Sequence, residues 1–194
     1  MLVSFFKPVD DSEIKYFTAT IGNIPWLPVL RNAPHPLLPW KSQSVPFKLA
    51  TEVRPYNDLW FTSSTKFILD GNVTSNHLKS IFDWNSPISA RDLSQQLLAI
   101  AANYSQEKRN ESTDQTFVSV IPQIYQKLSN FLNTPDFTDV TRICDRGPVV
   151  FTGNDFVPVQ KVAFKSPIDM TPYLSVVPRD LITFESFFRA LGVR

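Results

Sequence analysis

The sequence predicts an α+β fold: an antiparallel helix pair with short β-hairpins and extended proline-rich segments. Three observations predict it. Two apolar stripes at helical spacing follow one another between Ser89 and Leu132. A β-branched run at Val149-Val150 precedes the turn residues Gly153-Asn154 and a second apolar stretch. Prolines crowd the early chain at 25, 28, 34, 36, 39, 46 and 55. Residues 1–194 are expected to form a single segment of a larger protein. Its sub-parts are a proline-rich mixed α/β region at 1–85, a helix pair at 86–135, and a β-hairpin plus C-terminal helix at 146–194.

The proline-rich region comes first. Proline fixes φ and lacks an N–H, so long helices are excluded from residues 21–55. Trp26, Leu27, Val29, Leu30, Leu37, Leu38 and Trp40 lie between the prolines. Such apolar content opposes a solvated linker. An extended, aromatic-anchored stretch is expected. A turn follows at Asp70-Gly71, then a short helix from Ser75 with Leu78, Ile81 and Phe82 on one face.

Ser89-Ala90-Arg91-Asp92 matches a capping box. A helix is predicted from Ala90 to about Lys108, its stripe being Leu93, Leu97, Ile100, Ala101 and Tyr104. Lys108 and Arg109 suit the negative end of the helix dipole. The polar run Gln106 to Gln115 is expected to be a loop. A second stripe comprises Phe117, Val120, Ile121, Ile124, Leu128, Phe131 and Leu132. Pro122 predicts that this helix starts near Ser119 or kinks, and Thr134-Pro135 ends it.

From Gly147 the pattern becomes extended. A hairpin is predicted over about Val149 to Phe164. Its returning strand runs from Phe156, with Pro158 at an edge or bulge. Pro167, Pro172 and Pro178 then mark an extended stretch. The final helix is expected over Phe184 to Leu191, with Thr183 as N-cap, an Ile182–Phe187 staple and Gly192 as left-handed cap. Its face of Phe184, Phe187, Phe188 and Leu191 should dock on the hairpin through Val149, Phe151, Val162 or Phe164. Ending at Arg194, directly after a cap, predicts excision from a longer chain.

Composition narrows the function classes. The 194 residues are 43% hydrophobic, with 19 Lys and Arg against 18 Asp and Glu. That balance offers no basic face for nucleic acid or for an anionic membrane. No apolar run approaches the roughly 20 residues of a membrane span. The opening Met1-Leu2-Val3-Ser4-Phe5-Phe6-Lys7-Pro8 is too short for a signal peptide. Cys144 is the only cysteine, so no internal disulfide argues for an oxidising compartment. The sequons at Asn72, Asn103 and Asn110 are read as chance matches.

No complete chemical motif is present. Phosphate binding needs clustered glycines, whereas Gly22, Gly71, Gly147, Gly153 and Gly192 are scattered. His35 and His77 lack metal-ligand spacing. Cys144 lies between Arg142 and Arg146, which could activate a thiol, but a half-buried small residue is the expected role. Asp136, Asp139 and Asp145 are expected on solvated loops rather than as an acid–base pair. Catalytic, cofactor-binding and metal residues are therefore all assigned as none, and no cofactor is expected.

Several phrases together carry a family resemblance. Ile24-Pro25-Trp26-Leu27-Pro28-Val29-Leu30 and Arg54-Pro55-Tyr56-Asn57-Asp58-Leu59 are the first two. The third runs from Gly147 through Val149-Val150-Phe151, Gly153-Asn154-Asp155-Phe156 and Val162-Ala163-Phe164. Pro172-Tyr173-Leu174, Val177-Pro178 and Leu191-Gly192-Val193-Arg194 complete the set. In order, these resemble the repeat region of the sacsin family of very large chaperone-like proteins, most weakly at 86–140. The resemblance implies a cytoplasmic co-chaperone segment downstream of a heat-shock-type ATPase domain. That ATPase carries a helical Glu and Asn pair and an Asp-x-Gly-x-Gly loop. This chain has neither in that form, so ATP binding is not implied. The implied partners are heat-shock chaperones, neighbouring modules of the same chain and client proteins, with no nucleic acid and no membrane. The expectation is a non-enzymatic structural and protein-interaction segment. The alternative is a small enzyme domain using Cys144 as nucleophile.

Overall fold

The computed structural model describes residues 16, 19–106, 111–166, 168, 170 and 173–194; for residues 77, 105, 106 and 111–118 it describes the backbone alone. The fold is α+β, as the sequence predicts. The chain divides into two compact units. The first comprises Met1–Pro34 and Trp40–Ile88, and the second His35–Pro39 and Ser89–Arg194.

In the first unit, two-residue strands replace a continuous sheet. β1 (Leu27–Pro28) pairs antiparallel with β2 (Phe47–Lys48), placing Leu27 opposite Lys48. β3 (Val53–Arg54) pairs in parallel with β4 (Phe67–Ile68). Proline explains the brevity: Pro25, Pro28, Pro46 and Pro55 have no N–H to extend a ladder. Carbonyls stay usable, and Pro28 and Pro46 accept from Asp70 N–H at 2.9 Å and Val29 N–H at 3.1 Å. Leu27, Val29, Ala50, Val53, Phe67, Leu69 and Trp84 form the buried cluster. The Lys41 and Lys48 ammonium groups lie 4.5 and 4.4 Å from the Phe67 ring centroid.

Besides the helical residues at 16 and 19–21, two short helices are described in this unit. α1 (Leu59–Thr62) continues a 3-10 turn at Tyr56–Asp58. α2 (Asn76–Ile81) begins at Ser75, whose hydroxyl accepts from Leu78 N–H at 3.3 Å. The helix expected from Ser75 is thus present.

The second unit is built on helices. α3 (Ala90–Gln106) begins at the expected serine. The Ser89 hydroxyl accepts from Asp92 N–H at 3.0 Å. The reciprocal half of the box differs: Ser89 Oγ donates to the Asp92 carboxylate at 2.8 Å. Leu93, Leu97, Ile100, Ala101 and Tyr104 are all buried. Lys108 and Arg109 lie outside the described residues.

α4 (Glu111–Ser129) begins earlier than the sequence reading expects. The expected loop from 106 to 115 is helical at 106 and from 111 onward. Glu111 and Asp114 are acidic residues well placed at a helix start, and no Gly or Pro interrupts that run. Pro122 lies inside the helix, so of the two expectations the start near Ser119 is the one not observed. An interior proline costs about 3 kcal/mol. Burial of Ile121, Ile124, Tyr125 and Leu128, each at 0% exposure, outweighs it at roughly 1.5–3 kcal/mol for each large apolar side chain. Phe131 and Leu132 lie beyond the helix and are only half-buried.

α5 (Phe137–Cys144) has no counterpart in the sequence reading. It packs on α3 and buries Val140, Ile143 and Cys144. Asp136 and Asp145 flank this helix and Asp139 lies within it, correcting the loop assignment.

The hairpin is shorter than expected. β5 (Val150–Phe151) and β6 (Phe156–Val157) pair antiparallel around Gly153, whose φ is +92°. Pro158 ends the returning strand, and a 3-10 turn follows at Val159–Lys161. β7 (Val162–Ala163) then pairs in parallel with β8 (Ser175–Val176), not with β5. Pro167 and Pro172 lie outside the described residues. At Gly147 a Cβ would sit 3.0 Å from Leu98 Cδ2, so this glycine permits close passage past α3.

α6 (Glu185–Leu191) ends on Gly192 at φ +104°, as expected. Its start differs. Pro178 opens a 3-10 helix over Arg179–Phe184, so Thr183 is already helical and Phe184 takes the cap position. Ile182, the expected staple residue, is 42% exposed. Phe184, Phe187, Phe188 and Leu191 are buried as predicted. Their main aromatic partner is Tyr125 of α4, at centroid distances of 5.8, 5.9 and 5.0 Å for the three phenylalanines. The expected docking is found through Phe164, whose ring centroid lies 4.6 Å from the Arg189 guanidinium of α6 and whose N–H donates to the Arg194 carbonyl, while the phenylalanine face packs on Tyr125 of α4.

Candidate functional site

The sequence candidates for chemistry do not converge. Cys144 ends α5 at 1% exposure. Burial pushes its thiol pKa up to about 12, the nearby Ser94 hydroxyl acts in the opposite direction, and Asp145 adds to the rise. Such a thiol stays protonated at neutral pH, whereas a nucleophile needs the thiolate. The flanking arginines therefore do not produce the activation that their sequence positions allow. Arg142 pairs instead with Asp139 across one helical turn.

His35 is part of the short proline segment in the second unit, and its Nδ1 accepts from Leu37 N–H at 3.3 Å. Partial burial lowers its pKa. The side chain of His77 lies outside the described residues. Among the described residues, no three His, Cys, Asp or Glu side chains are grouped to hold a metal ion. No described helix is long and apolar enough to cross a membrane.

Two other features are suited to binding. The first is a cavity of about 360 Å³ within the first unit. Trp26, just before β1, and Leu27 of β1 line it, with Phe47 from β2, Leu69 to Val73 from the turn after β4, and Leu78, Phe82 and Trp84 from α2 and the loop beyond. Phe82 lies between the tryptophans, with centroids 6.0 Å from Trp26 and 5.3 Å from Trp84. The Nε1 atoms of Trp26 and Trp84 are buried and have no hydrogen-bond partner among the described residues. Leaving a buried donor unmade costs roughly 1–3 kcal/mol, and native structures rarely do so.

Arg54 holds the loop that carries Trp84. Its Nε donates to Asp58 at 2.8 Å. Its Nη1 and Nη2 donate to the carbonyls of Asp83 and Ser86, both at 3.1 Å. Between those carbonyls the chain passes through Asp83 at φ +58°, a left-handed conformation uncommon outside glycine. The guanidinium fork therefore ties β3 to both sides of Trp84.

The second feature is an exposed apolar stretch in the second unit. Ile168 is 67% exposed and Tyr173 81%; Met170, Val176 and Ile182 are also exposed. Single exposed apolar residues need no explanation, but several within one short stretch do.

Sequence reasoning missed both features. Trp26 and Trp84 are far apart in sequence, and only the pairing of two-residue strands unites their surroundings. Ile168 to Ile182 read simply as an extended proline-containing segment. Compared with known proteins, the chain matches no family model, no curated protein and no solved structure.

Proposed function

We propose that this chain is a non-enzymatic structural and protein-interaction segment of a cytoplasmic, sacsin-like co-chaperone acting in protein folding and quality control. The observation that carries this reading is the set of exposed apolar side chains Ile168, Met170, Tyr173, Val176 and Ile182. Aromatic and methionine side chains at an accessible surface favour contact with other proteins. The fitting partners are unfolded clients, heat-shock chaperones or neighbouring modules. The quoted sequence phrases supply the family assignment, and the exposed stretch overlaps the last of them at Tyr173-Leu174.

The alternative, a small enzyme domain using Cys144 as nucleophile, is disfavoured by the protonated, buried thiol. An aggregation assay separates the two readings. Reduction of insulin with dithiothreitol releases a B chain that aggregates, and this protein should suppress that aggregation. The Ile168→Ser, Tyr173→Ser double variant should lose most of the suppression, while Cys144→Ala retains it. No suppression by the parent, or full suppression by the double variant, would reject the proposal.

A further inference from the structure

We infer that the cavity of the first unit is a binding site for a small quaternary ammonium compound, held by aromatic side chains and by the Asp70 carboxylate. This inference concerns a different unit from the interaction stretch and stands without it. Four aromatic residues, Trp26, Phe47, Phe82 and Trp84, line this one cavity. Its volume, about 360 Å³, falls within the range of roughly 300–1,000 Å³ typical of small-molecule sites. Phe47 is 47% exposed, and Trp26 and Phe82 are only half-buried, so aromatic surface is left uncovered around it.

The walls select the chemistry. The Nε1 atoms of Trp26 and Trp84 are shut off from any occupant, so the indole rings can offer it only carbon. Aromatic rings carry negative potential on their faces, and grouped rings recognise quaternary ammonium ligands through it. Asp70 adds a full negative charge and is the one charged residue of the lining among the described residues. Its N–H donates to the Pro28 carbonyl at 2.9 Å, which holds it beside β1. Its carboxylate has no hydrogen-bond or ion-pair partner among the described residues. An anion would meet repulsion there. A primary ammonium would give up hydrogen bonds to water that carbon walls cannot replace. A quaternary ammonium has no N–H to satisfy and keeps the attraction of both the rings and the carboxylate.

The test uses the full chain and three probes of similar size: choline, 3,3-dimethylbutan-1-ol and 3,3-dimethylbutanoate. The alcohol keeps the shape of choline but replaces the charged nitrogen with carbon; the butanoate carries a negative charge. Indole ¹H–¹⁵N resonances are assigned and followed during titration. Choline should shift the Trp26 and Trp84 resonances, leave Trp40 and Trp60 in place, and bind about tenfold or more tightly than either other probe. Asp70→Asn and Phe47→Leu alter exposed side chains and should leave the fold intact. Each should weaken choline roughly two- to fivefold and leave binding of the alcohol unchanged. Equal affinity for choline and the alcohol overturns cation recognition, and unchanged choline affinity in either variant overturns the proposed arrangement. Shifts confined to Trp40 and Trp60, or no shift with any probe, overturn the site itself. A peptide carrying trimethyl-lysine that binds more tightly than choline overturns the assignment to a free small molecule.

Discussion

The Tyr125 hydroxyl donates to the Val149 carbonyl at 2.7 Å. The same oxygen accepts from Phe151 N–H at 2.9 Å. One fully buried side chain on α4 therefore fixes the start of the hairpin, while its ring receives three phenylalanines of the C-terminal segment. Tyr125→Phe keeps the ring contacts and leaves two buried backbone groups without this partner. The expected loss is roughly 1–3 kcal/mol in urea unfolding. An unchanged midpoint would show that Tyr125 does not organise the hairpin.

The C-terminal helix offers a contrast within a few residues. Phe187 is 1% exposed and Ile182 42%. Phe187→Ala should cost ~3–5 kcal/mol. Ile182→Ala should change stability by no more than about 0.5 kcal/mol. Thermal melts of the two variants check this, and comparable losses would contradict the placement of the face.

Leu97 and Leu128 are both fully buried in the helical part of the second unit. Truncating either to Ala should cost ~2–5 kcal/mol. Parent-like unfolding of both variants would reject the packing of α3 and α4.

Cys144 gives stability a pH dependence. Its folded pKa is raised to about 12 from an ordinary value of 9.0. The unfolded thiol loses its proton first, so the unfolded state binds fewer protons above pH 9 and stability falls as pH rises. This group alone should remove about 1.4 kcal/mol by pH 10 relative to pH 7. The contribution is complete below pH 9 and lost progressively up to about pH 12. Burial raises the Tyr125 pKa as well, so its own effect adds only above the ordinary tyrosine value of 10.0. Cys144→Ala should flatten the decline between pH 8 and 10. An equal decline in parent and variant would show that the thiol ionises freely in the folded protein.

Sequence periodicity makes much of the helical core legible. The spacing of Leu93, Leu97, Ile100, Ala101 and Tyr104 defines one face by itself, because helix period and burial agree there. Tyr125 is absent from the predicted second stripe, since its polar hydroxyl hides a fully buried ring. α5 escapes the sequence reading although Phe137, Val140, Ile143 and Cys144 recur at helical spacing. Its β-branched content and three aspartates nearby favour a loop reading. The parallel pairings β3–β4 and β7–β8 depend on distant residues and leave no local period. The aromatic cavity follows from those of the first unit and from the Arg54 fork, so its residues are visible singly in the sequence but not as a group.

Hydrogen–deuterium exchange with an unfolded client tests the central claim most directly. The protein is mixed with reduced, carboxymethylated α-lactalbumin, which cannot refold, and peptide-level exchange is compared with the free chain. The interaction reading predicts new protection concentrated in peptides spanning Ile168 to Ile182, lost in the Ile168→Ser, Tyr173→Ser variant. Protection confined to peptides around Cys144, or none at saturating client, would contradict it.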